Sequence, residues 1–265
     1  MLKKCIGIVS YFPDNINERM PHLREKRIAR FNQLLNRLND LWPTIDILIV
    51  AQNWKDYQLP EITNHIEVIK FDEPLHIIGA RTELRKEFLK RDFDYIIMLD
   101  DDAIIEVANE QAANDYIEEI DNHPDGFCFI HSPDHWHTMD DYARAPLNLC
   151  AISRFIYERE PIPNVDLQKN EALEDDIYAV LLHTKWAEHE FMPAEGIRHT
   201  HNIKYQYLRQ FTNPDQITPS TWCDNINKYT DMFLNTTVVL NYIVAHKELP
   251  DFDKMRKENR RRWMW

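Results

Sequence analysis

Glycine is scarce in this 265-residue chain: Gly7, Gly79, Gly126 and Gly196 are its only four. None of them stand close enough together for a G-x-G-x-x-G dinucleotide fingerprint, a Walker A loop or a G-x-S-x-G nucleophile elbow. The commonest nucleotide and hydrolase loops are therefore excluded, and a phosphate-binding site here has to be built from side chains and metal. Cysteine is equally sparse. Cys5, Cys128, Cys150 and Cys223 lie far apart with no C-x-x-C pair, a pattern that suits reduced thiols and a cytoplasmic location. No apolar run approaches the length of a membrane span. The opening MLKKCIGIVSYF has two lysines but breaks at Pro13, so it reads as a first strand and not as a signal peptide.

Positive charge is in deficit as well. A net charge of −13 argues against a general nucleic-acid binder, though it leaves room for a local basic groove. Basic residues gather only in the tail, where residues 251–265 hold six Lys/Arg against three acids and end in WMW. Such a tail reads as solvated and partly docked, with peripheral membrane contact as the alternative.

What the chain does have is the stretch Asp94 to Ile105, DYIIMLDDDAII. The apolar run Ile96–Leu99 reads as a strand buried on both faces of a sheet. Asp100, Asp101 and Asp102 then fall at its carboxyl end, where open α/β sheets bind ligands. Two like charges about 4 Å apart repel by about 1 kcal/mol in water and about 4 at an effective dielectric near 20. Such a cluster needs solvation or a cation. In extended backbone Asp100 and Asp102 point to one side and Asp101 to the other. Two hard oxygen donors on one side suit Mg²⁺ or Mn²⁺ beside substrate phosphates; a solvated acidic turn is the plainer alternative.

Patterning predicts strands over 5–12, 45–50 and 66–71, and an amphipathic helix over 22–41 with charges between its apolar positions. A helix opens at Gly79-Ala80-Arg81 and runs to about 90, before the strand that carries the aspartates. This is a mainly parallel α/β order. Beyond it, 109–120 and 171–183 read as helices, 126–130 and 148–153 as strands, and 230–245 as a buried helix or helix pair. His131–Asp141 is a polar stretch whose His131, Asp134, His135 and His137 have a zinc-like composition. A polar loop over the active site is the preferred reading there.

A second acidic cluster, Glu174-Asp175-Asp176, falls in the first turn of the 171–183 helix. The helix dipole alone accommodates carboxylates there. The functional reading makes one of them a general base for an incoming hydroxyl, since adjacent acids raise each other's pKa. His199 and His201 share a face if extended, and either could complete a metal site begun by Asp102.

The ordered set of a first strand, Gly79-Ala80-Arg81 before a helix, LDDD after a buried strand, a small-residue strand ending in Arg154, then LEDD and a late histidine resembles the GT-A glycosyltransferases, most closely family 2. The resemblance covers roughly residues 4–202. It implies a catalytic domain over 1–204, Rossmann-like with helices on a mainly parallel sheet, and a helical C-terminal extension over 205–265. It also implies a nucleotide-diphosphate sugar donor, UDP-sugar favoured, and Mn²⁺ or Mg²⁺ held by Asp100 and Asp102 with His199 or His201. Phe12, Arg81, Asp100 and Asp101 match the donor-binding positions. Asp175 matches the base of an inverting transfer, with Asp176 taking that role if the match slips by one residue. Many members carry an acid after the second strand to hold the base, where this chain has Gln52 and Asn53.

The implied reaction moves a hexose or pentose to an acceptor hydroxyl of a surface glycan, lipid-linked sugar or wall polymer, with a protein side chain or a hydroxylated base in phage DNA less favoured. The rival enzyme is a metal-dependent phosphoryl-transfer enzyme or nuclease using both acidic clusters to hold two cations. A non-catalytic sugar-binding protein is the rival from another class.

Overall fold

The computed structural model describes residues 1–12, 22–130, 149–163, 174–193, 196–200 and 241–251. In chain order the elements are β1 (Lys4–Tyr11), α1 (Leu23–Leu41), β2 (Asp46–Gln52), β3 (Ile66–Phe71), α2 (His76–Leu89), β4 (Tyr95–Asp100), β5 (Ile104–Val107), α3 (Glu110–Asn122), β6 (Phe127–Phe129), β7 (Cys150–Ser153), α4 (Arg154–Arg159), α5 (Glu174–Lys185), a 3₁₀ turn at Ala187–His189 and β8 (Ile197–Thr200). A further helical turn covers 241–246.

Six strands form one sheet in the order β3-β2-β1-β4-β7-β6. β3, β2, β1 and β4 are parallel, and only β7 runs against its neighbours. The chain steps from β1 outward to β3 and then returns to the other side of β1 to make β4. The order therefore reverses between β1 and β4, and open α/β sheets bind ligands outside the strand ends at such a reversal.

Alternating side chains of the central strands feed two cores. Cys5, Val9, Leu48, Val50, Ile96 and Met98 pack with α2, α4 and α5. Ile6, Ile8, Ile47, Ile49, Ile97 and Leu99 pack with α1 and α3. The result is a three-layer sandwich in which every residue of β4 is buried, as a continuous apolar run requires. Gly7 lies close under its neighbours on the α2 side: a Cβ there would lie 2.6 Å from Ile96 Cδ1 and 3.0 Å from Leu84 Cδ2.

Three features differ from the sequence expectation. Helix α2 begins a turn before Gly79, at His76, because nothing in His76-Ile77-Ile78 breaks a helix. The apolar residues after the aspartates form a separate strand, β5, which pairs antiparallel with β8 in a second sheet. Gly196 permits the turn into β8 with φ +89°, and its carbonyl accepts the Ala108 N–H at 2.7 Å. Arg154, read as a marker at the end of β7, lies at the opposite end of the sheet. It donates to the carbonyls of Phe93 at 2.6 Å and Leu89 at 3.3 Å and stacks on Phe88. The zinc-like stretch and most of the 205–265 extension lie outside the described residues, apart from 241–251, where Ile243 joins the α2-side core. No described helix is long and apolar enough to cross a membrane.

Candidate active site

β1 outruns β4. The last β1–β4 pair is Val9 with Asp100, whereas β1 continues beside β2 to Tyr11 opposite Gln52. The chain leaving β4 turns at this step, and Asp101 fills it. Its Oδ2 accepts the Ser10 hydroxyl at 3.0 Å and the Tyr11 backbone N–H at 3.0 Å, and its Oδ1 accepts the Arg27 guanidinium. The carboxylate thus takes over backbone satisfaction where the neighbouring strand stops.

The alternation of β4 continues into the acidic run. Asp100 keeps the phase of Ile96 and Met98 and meets Arg81 of α2, with Nη2 donating to Oδ1 at 3.2 Å. Asp101 keeps the phase of Ile97 and Leu99 and meets Arg27 of α1. Each helical layer supplies one buried arginine, Arg27 at 7% exposure and Arg81 at 4%. Burial works against charge on Arg27, but Asp101, Asp102 and Asp100 outweigh it and raise its pKa, so the guanidinium stays charged. Asp102 is buried like its neighbours.

Two clefts open on this run. The smaller, about 290 Å³, is lined by Ser10, Tyr11, Arg27, Gln52, Ile77, Asp100 and Asp101 among others. The larger, about 630 Å³, lies between α1 and β5 and has Asp102 at its margin. Asp100 and Asp101 line the smaller cleft and Asp102 the larger, so the expected grouping of Asp100 with Asp102 on one side, and Asp101 alone on the other, is not the grouping that the cleft linings give.

The remaining sequence candidates fall as follows. Phe12 is fully buried and packs against Phe31, Trp54 and Tyr57, stacked on Trp54 at 5.3 Å. Its ring cannot reach a ligand, and the half-exposed Tyr11 lines the cleft instead. Asp101 lines that cleft too, but its oxygens are engaged by Ser10, Tyr11 and Arg27. Gln52 Oε1 accepts the Leu75 N–H at 2.6 Å, which ties the end of β2 to the start of α2. Asn53 Nδ2 donates to Phe12 O at 2.7 Å, and Arg24 donates to the carbonyls of Phe12 and Asn53.

His199 stands opposite Ile105, and Thr200 opposite Ile104. The ladder therefore carries β8 toward the residue that follows Asp102–Ala103, and His201 lies just outside the described residues. The backbone of Glu174, Asp175 and Asp176 forms the first turn of α5. Ile177 to Leu182 of that helix join the same core as Ala80 and Leu84, so the helices carrying Arg81 and Asp175 pack on one face of the sheet.

Among the described residues no group of three or more His, Cys, Asp or Glu is gathered for a metal ion. The donor set nevertheless fits a hard divalent cation, which takes one or two carboxylates and completes its sphere with phosphate oxygens and water. Sequence reasoning missed the role of Arg27. The available signal was an arginine one turn into the buried stripe of α1, beside Phe31 and Leu34.

No family model matches the chain, and no curated protein matches it in sequence. Solved structures do match in shape. S. aureus TarS 1-349 in complex with UDP is 11% identical, with 75% of this chain and 60% of that chain covered and a TM-score of 0.50. TarS 1-349 in complex with UDP-GlcNAc gives 11% identity, 68% and 52% coverage and a TM-score of 0.42. The chain spans 60% or less of the length of these TarS structures. With its six-stranded sheet between two helical layers and an acidic run at the strand-order reversal, the chain has the GT-A glycosyltransferase fold.

Proposed function

We propose that this protein is a metal-dependent glycosyltransferase that moves a sugar from a nucleoside-diphosphate donor to an acceptor hydroxyl. The observation that carries the reading is the position of Asp100–Asp102 at the carboxyl ends of β1 and β4, with a cleft opening beside them. The UDP and UDP-GlcNAc complexes of TarS, a structure of like fold, support a nucleotide-sugar donor and make a UDP-sugar the first to test.

In this reading the smaller cleft receives the nucleotide, with Tyr11, Gln52 and Ile77 around the base and ribose. Asp102 and Asp100, with His199 or His201, would hold Mn²⁺ or Mg²⁺. When bound, that cation supplies charge stabilisation for the diphosphate. Arg27 and Arg81 fix the directions of Asp101 and Asp100 from opposite layers, so the acidic run is held before the donor arrives. Asp175, or Asp176 beside it, accepts the proton of the acceptor hydroxyl. The hydroxyl oxygen bonds to the anomeric carbon as the bond to the diphosphate oxygen breaks, and its electron pair leaves with the nucleoside diphosphate. No covalent sugar–enzyme intermediate is needed.

A thermal-shift panel of nucleotide sugars with and without Mn²⁺ tests this directly, because a ligand bound to the native state raises apparent stability. One UDP-sugar is expected to raise the melting temperature only when Mn²⁺ is present. Asp102→Asn should abolish that metal dependence, and Asp175→Asn should keep donor binding but lose transfer. Full transfer activity in both variants would refute the assignment.

A further inference from the structure

Gln52 closes β2 and lines the smaller cleft, yet only 4% of its surface is exposed. Its Oε1 accepts the backbone N–H of Leu75 at 2.6 Å. Leu75 immediately precedes α2, so this N–H has no partner inside the helix. A backbone amide can only donate, which identifies the atom beside it as the oxygen and turns the nitrogen of the same carboxamide the other way. Among the described residues Nε2 has no partner, and it is not sealed from solvent. The half of Gln52 left for a ligand is therefore a hydrogen-bond donor without an acceptor beside it.

The neighbouring side chains do not change that polarity. Ser10 accepts the Trp54 Nε1–H at 3.0 Å and gives its own proton to Asp101, and Arg27 is paired with Asp101 as well. Val9, Pro74 and Ile77 carry no hydrogen-bonding side chain. Across the sheet β2 is separated from β4 by β1, two strand spacings or about 10 Å. With the diphosphate at the acidic run, the atom of a nucleobase that reaches furthest toward Gln52 is the one most distant from the ribose, which in a pyrimidine is position 4. A cleft of about 290 Å³ is at the small end of ligand pockets, and one ring suits it better than two. At position 4 uracil carries a carbonyl, which accepts, and cytosine an amino group, which donates. An N–H set against an amino group strands two donors.

We propose that Gln52 selects the nucleobase of the donor, its Nε2 donating to the 4-carbonyl of a uracil ring and turning cytosine away. This inference rests on the glycosyltransferase reading and adds the residue and the bond by which one nucleotide is chosen.

The test is calorimetric titration of the full chain with UDP, CDP, GDP and 4-thio-UDP at pH 8 in the presence of Mn²⁺. UDP should bind about tenfold more tightly than CDP, the worth of one hydrogen bond together with the donor that would otherwise be stranded. Sulfur is a weak acceptor, so 4-thio-UDP should fall between the two. Gln52→Glu keeps the length of the side chain and an oxygen for Leu75, but presents a carboxylate oxygen to the cleft. Its added charge weakens both pyrimidine nucleotides, so their ratio is the readout, and it should invert to favour CDP. Gln52→Met removes the donor without supplying an acceptor and should bring UDP and CDP to within about twofold of each other.

Equal binding of UDP and CDP to the unaltered protein overturns the inference, as does a preference for CDP or GDP. A preference for UDP that survives in both variants overturns it as well. So does 4-thio-UDP binding as tightly as UDP, a comparison that needs no variant to fold. Failure of all four nucleotides to bind the unaltered protein is a separate result and removes the glycosyltransferase reading itself.

Discussion

Arg27 and Asp101 form a buried ion pair that joins the first helix to the loop leaving the central strand, at 8% and 3% side-chain exposure. The carboxylate is also the acceptor for Ser10 and for the Tyr11 amide. Among the described contacts it joins β1, α1 and the end of β4 through one carboxylate.

Removing one partner of such a pair strands a charge in the core, at a cost of roughly 3–5 kcal/mol. Asp101→Ala is therefore expected to lower unfolding stability by that amount. Asp102→Asn should change it by less than about 1 kcal/mol while removing donor turnover. Urea unfolding followed by circular dichroism compares the two, and equal stability of both variants contradicts this division of roles.

Gly7 gives a second prediction. A methyl group at this position drives into Ile96 and Leu84, and overpacking of a close-packed interior costs about 1–3 kcal/mol. Gly7→Ala should lower the urea midpoint without changing the slope of the transition. A Gly7→Ala, Leu84→Ala pair should lose less than the sum of the two single changes, because the smaller side chain makes room for the methyl.

The Lys4–Asp121 pair ties β1 to α3 and should be visible in acid. Partial burial pushes the Asp121 carboxyl upward, but the Lys4 ammonium and the Leu2 amide overcome this, leaving it below the usual carboxylate range. A depressed folded-state pKa contributes stability that is full above the unfolded value of about 3.9 and fades as pH falls through the folded one. Asp121→Asn should therefore cost about 1–2 kcal/mol at pH 7, and the gap from wild type should close below about pH 4. A gap that stays constant down to pH 2 would show that the pairing does not carry the effect.

Thiol chemistry tests the core. Cys5, Cys128 and Cys150 are all buried. Burial pushes the Cys128 thiol up to about 12 and raises those of Cys5 and Cys150 as well. The thiolate is the reactive form, so iodoacetamide at pH 8 should leave these three unmodified until denaturant is added. Peptide mass mapping after a timed pulse gives the answer, and rapid labelling of any of the three in native protein would be inconsistent with this packing.

Much of the architecture was legible because the central strands are apolar throughout and the helices between them are striped. Ile96–Leu99 fixed the strand, and its direction placed the acids at the ligand-binding rim. What one chain of letters does not carry is which acid meets which base. The phase of β4 decides that Asp100 turns to Arg81 and Asp101 to Arg27, but choosing the partners requires knowing that α1 and α2 lie on opposite faces. The same gap hid which half of the Gln52 amide faces the cleft, because that is decided by Leu75, more than twenty positions later. Phe12 was misleading because an aromatic at a strand end serves a core as readily as a ligand, and Trp54 and Tyr57, more than forty positions later, decide the matter.

The nine residues between Phe12 and His22 begin and end at fixed points. Asp101 holds Tyr11 on one side of them and Arg27 on the other, and Arg24 reaches back to the Phe12 carbonyl. One buried carboxylate therefore ties the end of the first strand to the first helix directly, and that junction does not depend on the residues between them.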